Sequence, residues 1–469
     1  MNSYATSFLV SVIVAQVFNC CMCAPADRIM CYFHSSARHR TTLAKFEITN
    51  INFTLCTHYI YAYARINTST KMLVPADPSE ELGPKGLYRQ FNNGKRMAPS
   101  IKTLLAVESP RSVYDLASDH ILATVAESIG VFAKSAVSLL TLHGFDGLDI
   151  DWPFPESVPE QFLHAAILKT LNSEIILSRG RLILTASAKV MSTKLDTGYL
   201  VKEIAKYVDF TILHTHRIIF PEVTFAYFHG PLFGKKAESN YRTMSMSQSV
   251  RAWGAEGMPF NKIVVGMSAV ATILQLSDHS QWEPGSYVTG DVMYGPLYNM
   301  SSSLAYPEVC MLMTSSLRHF DPVQRSPYLV RGSTWVGYED HESIQAKLDW
   351  LSPLDVGGVM FAALDEDDFT GQVCGEGRYP LLTFIKWAGQ SEVTPTTLVT
   401  LVEERITYTT KTGRSGLTDD KRSDNLMVHL LLVFIFILVY LVAAVCVCRT
   451  FTKTELPPAR GEDHTSSNS

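Results

Sequence analysis

The chain has 469 residues, 46% hydrophobic and 18% charged, which is enough apolar material for one large core or two smaller ones. Its 45 acidic residues outnumber the 40 Lys and Arg, giving a formal net charge of -5, and no Lys/Arg stripe with interleaved aromatics occurs. That composition excludes the basic field a nucleic-acid-binding surface needs.

In chain order, residues 1–24 hold an apolar run from about Phe8 to Phe18, then small residues at Cys23 and Ala24. This is the pattern of a secretory signal peptide, although the n-region lacks a Lys or Arg. Cys20, Cys21 and Cys23 leave with it. Short apolar runs then alternate with amphipathic stretches: RIMCYFH, CTHYIYAYA, KTLLAVE, GFDGLDIDW, LILTASA, VDFTILHTH, KIVVGMS and GGVMFAALD. Between several of them, as over Ile121–Leu142 and Glu160–Leu177, apolar residues recur at three- and four-residue steps, which predicts helices. Eight runs with intervening helices predict an α/β fold, a parallel (β/α)8 barrel over residues 27–389. The segment from Ser268 to about Gln345 is longer than a barrel loop requires and predicts an α+β insertion between the seventh and eighth strands.

Beyond Trp387 the pattern fades into a Thr-rich, charged stretch, read as a stalk over residues 390–425. Leu426–Cys448 is an apolar run of about 23 residues, long enough to cross a bilayer, and residues 449–469 form a short polar tail. With the signal peptide setting orientation, this predicts a single-pass type I protein of the plasma membrane or a secretory-pathway membrane. A lipid-anchor signal fits less well, because such signals end in the apolar run. Outside these segments four cysteines remain, Cys31, Cys56, Cys310 and Cys374, an even number that suggests two disulfides in a secretory chain. The sequons at Asn52, Asn67 and Asn299 agree with that compartment as glycosylation sites.

The most informative stretch is FDGLDIDWPFPE, residues 145–156. In an extended segment Asp149, Asp151 and Pro153 share one face, and Ile150 and Trp152 share the other. With these blocks in place, the chain resembles glycoside hydrolase family 18, the chitinases and chitinase-like lectins, over roughly Asp27–Gly389. Cys31-Tyr32-Phe33, Cys56 to Ala62, Lys102 to Val107, DGLDIDW, Lys262 to Met267 and Gly357 to Phe361 are similar to that family's first, second, third, fourth, seventh and eighth strands. The resemblance implies disulfides Cys31–Cys56 and Cys310–Cys374.

It also implies a chemistry that this chain departs from. Family hydrolases protonate the leaving oxygen with a glutamic acid two residues past the last aspartate of D-x-x-D-x-D-x-E, and the substrate's own acetamido group attacks. Here Asp146, Asp149 and Asp151 fill the aspartate positions, and Pro153 stands where the acid belongs. Glu156 is about 10 Å farther along an extended chain, beyond the roughly 3 Å reach of a general acid. His214, His216 and Arg217 replace the residues that contact the acetamido group, and Ala362 replaces the tryptophan that floors the central subsite. The resemblance therefore implies a pseudoenzyme without a cofactor, whose role is recognition of a glycan or protein. The alternatives are a hydrolase with displaced catalytic residues and a purely structural or adhesion ectodomain.

Tyr32, Phe33, Tyr63, Trp152, His214, His216 and Arg217 form the candidate ligand cleft, and barrel-core packing is the other reading of the aromatics. His214, His216, Asp149 and Asp151 offer ligand types that suit zinc, or form a hydrogen-bonded network in place of a lost tyrosine. The run Glu366-Asp367-Asp368 suits calcium or a turn after the last strand, and Arg111 and Arg217 suit an anion or ordinary ion pairs.

Overall fold

The structure is a computed structural model that describes residues 27–108, 128–152, 158–188, 190, 199–216, 218, 224–235 and 244–390. The expected signal peptide, the stalk beyond Gln390, the span Leu426–Cys448 and the tail lie outside the described residues, as do Pro153, Glu156, Arg111 and Arg217. No helix among the described residues is long and apolar enough to cross a membrane.

Fourteen strands make two sheets. They are β1 (Ile29–His34), β2 (His58–Ile66), β3 (Leu73–Pro75), β4 (Lys102–Glu108), β5 (Gly147–Asp151), β6 (Ile183–Ala188), β7 (Phe210–Leu213), β8 (Ile263–Ser268), β9 (Val270–Gln275), β10 (Ser303–Ala305), β11 (Leu317–Asp321), β12 (Ser326–Arg331), β13 (Thr334–Gly337) and β14 (Gly358–Ala362). Strands β1, β2, β4, β5, β6, β7, β8 and β14 pair in parallel around a ring, which β1 closes by bonding both β14 and β2. This is an eight-stranded parallel barrel, and each of its strands falls within one of the eight apolar runs. β3 adds an antiparallel edge to β2.

Parallel strands need crossover connections, and helices such as Ile129–His143 and Val158–Leu177 supply them. The first ends at Gly144, whose φ of 76° takes the left-handed conformation that glycine adopts at no steric cost. Side chains on the outer strand faces, including Phe33, Tyr61, Ile150 and Trp152, bury against this helical layer. Those on the inner faces, Met30, Tyr32, Ile60, Leu104, Ala106, Ile212, Val264 and Met360, fill the barrel.

Between β8 and β14 the chain builds a second, antiparallel sheet in the order β10-β9-β13-β12-β11, joined by the helix Tyr306–Met313. The side chain of Asp340 caps Ser343 N and starts the helix His341–Leu351. That helix packs against Pro380–Gln390, so the barrel's outer layer resumes at Asp340. Disulfides join Cys31 to Cys56, tying β1 to the approach to β2, and Cys310 to Cys374, tying the insertion to the segment after β14.

Candidate functional site

Strand alternation decides which side chains of the 145–156 stretch reach the barrel interior. On β5, Asp149 is fully buried inside and Asp151 lies two residues closer to the strand's end, while Trp152 turns outward and packs edge-on against His164. Trp152 therefore leaves the proposed cleft. So does Phe33, which packs against Phe46, Tyr61 and Phe91 in the outer layer, whereas its neighbour Tyr32 points inward. Both positions were legible from the period of two along each strand.

Asp146 also lies elsewhere. It precedes β5, and its carboxylate accepts from Thr103 N at 2.8 Å and pairs with Lys95 at 2.6 Å. Asp209, before β7, accepts in the same way from Leu184 N at 2.8 Å. Each carboxylate holds a backbone N–H at the start of the neighbouring strand, at the end of the barrel opposite to Asp151. The family motif thus spans both ends of one strand.

Inside, three hydroxyls surround the Asp149 carboxylate. Thr185 donates to Oδ1 at 2.6 Å, Tyr32 donates to Oδ2 at 2.5 Å, and Ser187 donates to Oδ2 at 3.4 Å. Burial pushes the Asp149 carboxyl up to about 6, the nearby Asp151 adds to the rise, and the bonds from Thr185 and Tyr32 oppose it. Burial and the same two carboxylates hold the Tyr32 hydroxyl well above its ordinary value. Asp151 accepts from Tyr63 Oη at 3.1 Å and faces His214 Nε2 at 3.9 Å.

His214 and His216 do not sit on a strand, as the spacing suggested, because β7 ends at Leu213 and His216 lies in the turn that follows. His214 N still donates to Ala188 O, and Thr215 Oγ1 donates to Gly266 O at 2.7 Å, so the turn stays fixed to β6 and β8. The two imidazoles stand 5.2 Å apart between centroids. His216 Nδ1 lies 2.4 Å from where a side chain on Gly266 would begin, so only glycine leaves room for that ring.

The quartet His214, His216, Asp149 and Asp151 does not form a ligand set. Among the described residues, the His/Cys/Asp/Glu group whose ligating atoms all approach within 4.8 Å of one another is His34, Asp365 and Glu366. That group is already charge-balanced: Asp365 takes Arg40 Nη1 at 2.7 Å and His34 Nδ1 at 3.1 Å. Burial alone would lower the His34 imidazole, but the Asp365 carboxylate outweighs it and raises the ring to about 9. Asp365 stays below the ordinary carboxylate range despite its burial, because His34 and Arg40 stabilise its charge. Neither that anchor nor the hydroxyl cage of Asp149 was anticipated from the sequence.

The acidic run after β14 forms a turn. Asp368 accepts from Thr370 Oγ1 and the backbone N–H of Gly371, Val373 and Cys374, and Asp367 accepts from Leu382 N. Ala362 is half-buried at the end of β14 and leaves no aromatic floor beside Tyr63. The interior end of the barrel is thus a polar basin of two carboxylates, two tyrosines and two histidines.

Residues 28–367 match the family described as glycosyl hydrolases family 18. The chain belongs to this family. Among its relatives, family 18 chitotriosidase-1 of Mus musculus is 31% identical over 371 residues, covering 77% of this chain and 78% of the relative. Chitinase-3-like protein 2 of Homo sapiens is 29% identical, covering 77% of this chain and 92% of the relative. Among solved family 18 structures, Ostrinia furnacalis Group IV chitinase superposes with a TM-score of 0.70 at 29% identity, covering 78% of this chain and all of that one. Human YKL-39, described as a pseudo-chitinase with retained chitooligosaccharide binding properties, superposes at 0.69 and 28% identity, covering 78% of this chain and 100% of that one. Family 18 membership therefore spans chitinases and a pseudo-chitinase, and the side chains must decide between them.

Proposed function

We propose that this chain is a non-catalytic, chitinase-like recognition protein, a type I membrane glycoprotein whose barrel stands on the extracellular or lumenal side. One observation carries the reading: Pro153 occupies the position of the catalytic acid, and proline has no proton to give. The hydroxyl cage supports it, since Asp149 is committed to Thr185, Tyr32 and Ser187. A carboxylate so enclosed holds the barrel together rather than assisting a reacting sugar. The ligand sits in the basin lined by Tyr63, His214 and His216, where one ring face and several polar groups remain for a glycan. The YKL-39 example supports binding that outlives hydrolysis in this family.

The apolar run Leu426–Cys448, the polar residues after it and the leader pattern support the membrane placement, and Asn52, Asn67 and Asn299 are exposed where glycans attach. Incubating the full chain with a fluorogenic chito-oligosaccharide tests the catalytic part. No turnover above a heat-denatured control is expected; turnover abolished by Glu156→Gln would restore the displaced-residue hydrolase reading. A glycan array with the same preparation tests recognition, and an array without any bound glycan would leave the adhesion reading in its place.

A further inference from the structure

We infer that the rim at the strand starts, opposite the polar basin, is a lipid-docking face. In a barrel of parallel strands each outer helix returns the chain to the start of the next strand, so the helix ends share one rim. Large apolar side chains crowd that rim in water. Met97 is 75% exposed before β4, Leu142 77% before β5, and Ile176 and Leu177 67% and 73% before β6. Phe260 before β8 and Trp387 at the end of the last helix extend the set.

Printed contacts join these segments. Lys95 Nζ donates to Gly144 O and Asn92 Nδ2 donates to His143 O, bringing the Met97 and Leu142 turns together. The starts of β4, β5 and β6 are in register through Leu104, Gly147 and Ile183. Gly357 N donates to Phe260 O beside the start of β14, and Lys386 Nζ donates to Thr54 O just before β2.

Charge on the β4–β6 arc has one dominant sign. Arg96, Lys102, Arg179 and Arg181 are exposed. Asp146 is held by Thr103 N and Lys95, and Asp209 by Leu184 N. Apolar side chains ringed by Arg and Lys match an anionic bilayer surface, where the first enter the headgroup boundary and the second meet phosphates.

The occupant follows from where the chain leaves. Pro380–Gln390 ends on this rim, and residues 391–425 separate it from the apolar run Leu426–Cys448. A flexible linker of that length spans about 30–35 Å root-mean-square. If the apolar run crosses a bilayer, as proposed above and on which this inference rests, the rim stays near the headgroups at roughly millimolar effective concentration. A face of weak intrinsic affinity then docks, and the basin points away from the membrane.

The test is hydroxyl-radical footprinting of the full chain in vesicles of neutral lipid and of lipid with an anionic component, after flotation and carbonate washing. Oxidation of Met97, Leu142 and Trp387 should fall several-fold in anionic vesicles relative to detergent, with Met72 and Tyr287 unchanged. The exposed double variant Leu142→Ser with Leu177→Ser should still float and regain oxidation at Met97. A chain that does not float overturns the tether and this inference with it. A chain that floats with the rim fully oxidised overturns the docking alone. Protection that tracks chains per vesicle and ignores lipid charge assigns the face to a second copy and likewise overturns it.

Discussion

Asp149→Asn isolates the electrostatic cost of the barrel's central carboxylate. Asp149 has no exposed surface, and its carboxyl is raised from 3.8 to about 6, first by burial and then by Asp151. Because the folded state holds this proton more tightly than the unfolded chain, stability is greatest below about pH 4 and falls as pH rises through about 6. At neutral pH the penalty is about 3 kcal/mol. The amide has nearly the shape of the carboxyl, carries no charge, and can accept from Thr185 while donating to the Tyr32 hydroxyl. Urea unfolding of wild type and variant at pH 4 and pH 7 gives the comparison. The wild type should lose about 3 kcal/mol more than the variant between the two pH values. Equal losses would show that Asp149 ionises freely, and the reasoning from burial would fail.

Other outcomes follow from the same chemistry. Selective histidine NMR should show His34 protonated at pH 7.5 and titrating near 9, with its stabilising contribution complete below about 6.5 and lost as pH rises through 9; His58 and His164, lowered to about 4 by burial, should be neutral at pH 6. Lys347→Met leaves the Glu339 carboxylate buried without its cation and should destabilise by about 3–5 kcal/mol in chemical denaturation, and the added change Glu339→Leu should recover most of it. Pro153→Glu should leave chito-oligosaccharide turnover undetectable until Ala362→Trp is added, because an acid without a bound, oriented sugar has nothing to protonate; strong turnover by the single variant would show that the basin still positions substrate.

The barrel was legible because its strands are short apolar runs in a fixed order, and burial on both faces makes such runs stand out. The basin was less so. Tyr32 and Phe33 are adjacent aromatics with opposite fates, which only the inward or outward phase of β1 separates. Asp146 and Asp151 belong to one motif yet lie at opposite ends of β5, since five residues of strand span much of the barrel's height. The hydroxyl cage joins residues 32, 149, 185 and 187, and the His34–Asp365 pair joins residues 331 positions apart. No local spacing reports such meetings. The extension of β7 through His216 failed because strand period was carried past Leu213, where the backbone turns.

The double pairing of β1 also sets an order of events during synthesis. Met30 pairs with His58, only 28 residues away, while Ile29 pairs with Val359 across 330. Early in synthesis β1 can gain β2, and the Cys31–Cys56 bond can lock that contact, but the other edge of β1 stays open until β14 has emerged. Closing so long a loop is the slow, entropically costly step. Until then the nascent barrel is an open sheet with two unpaired edges, a form that chaperones bind and that aggregates when they do not.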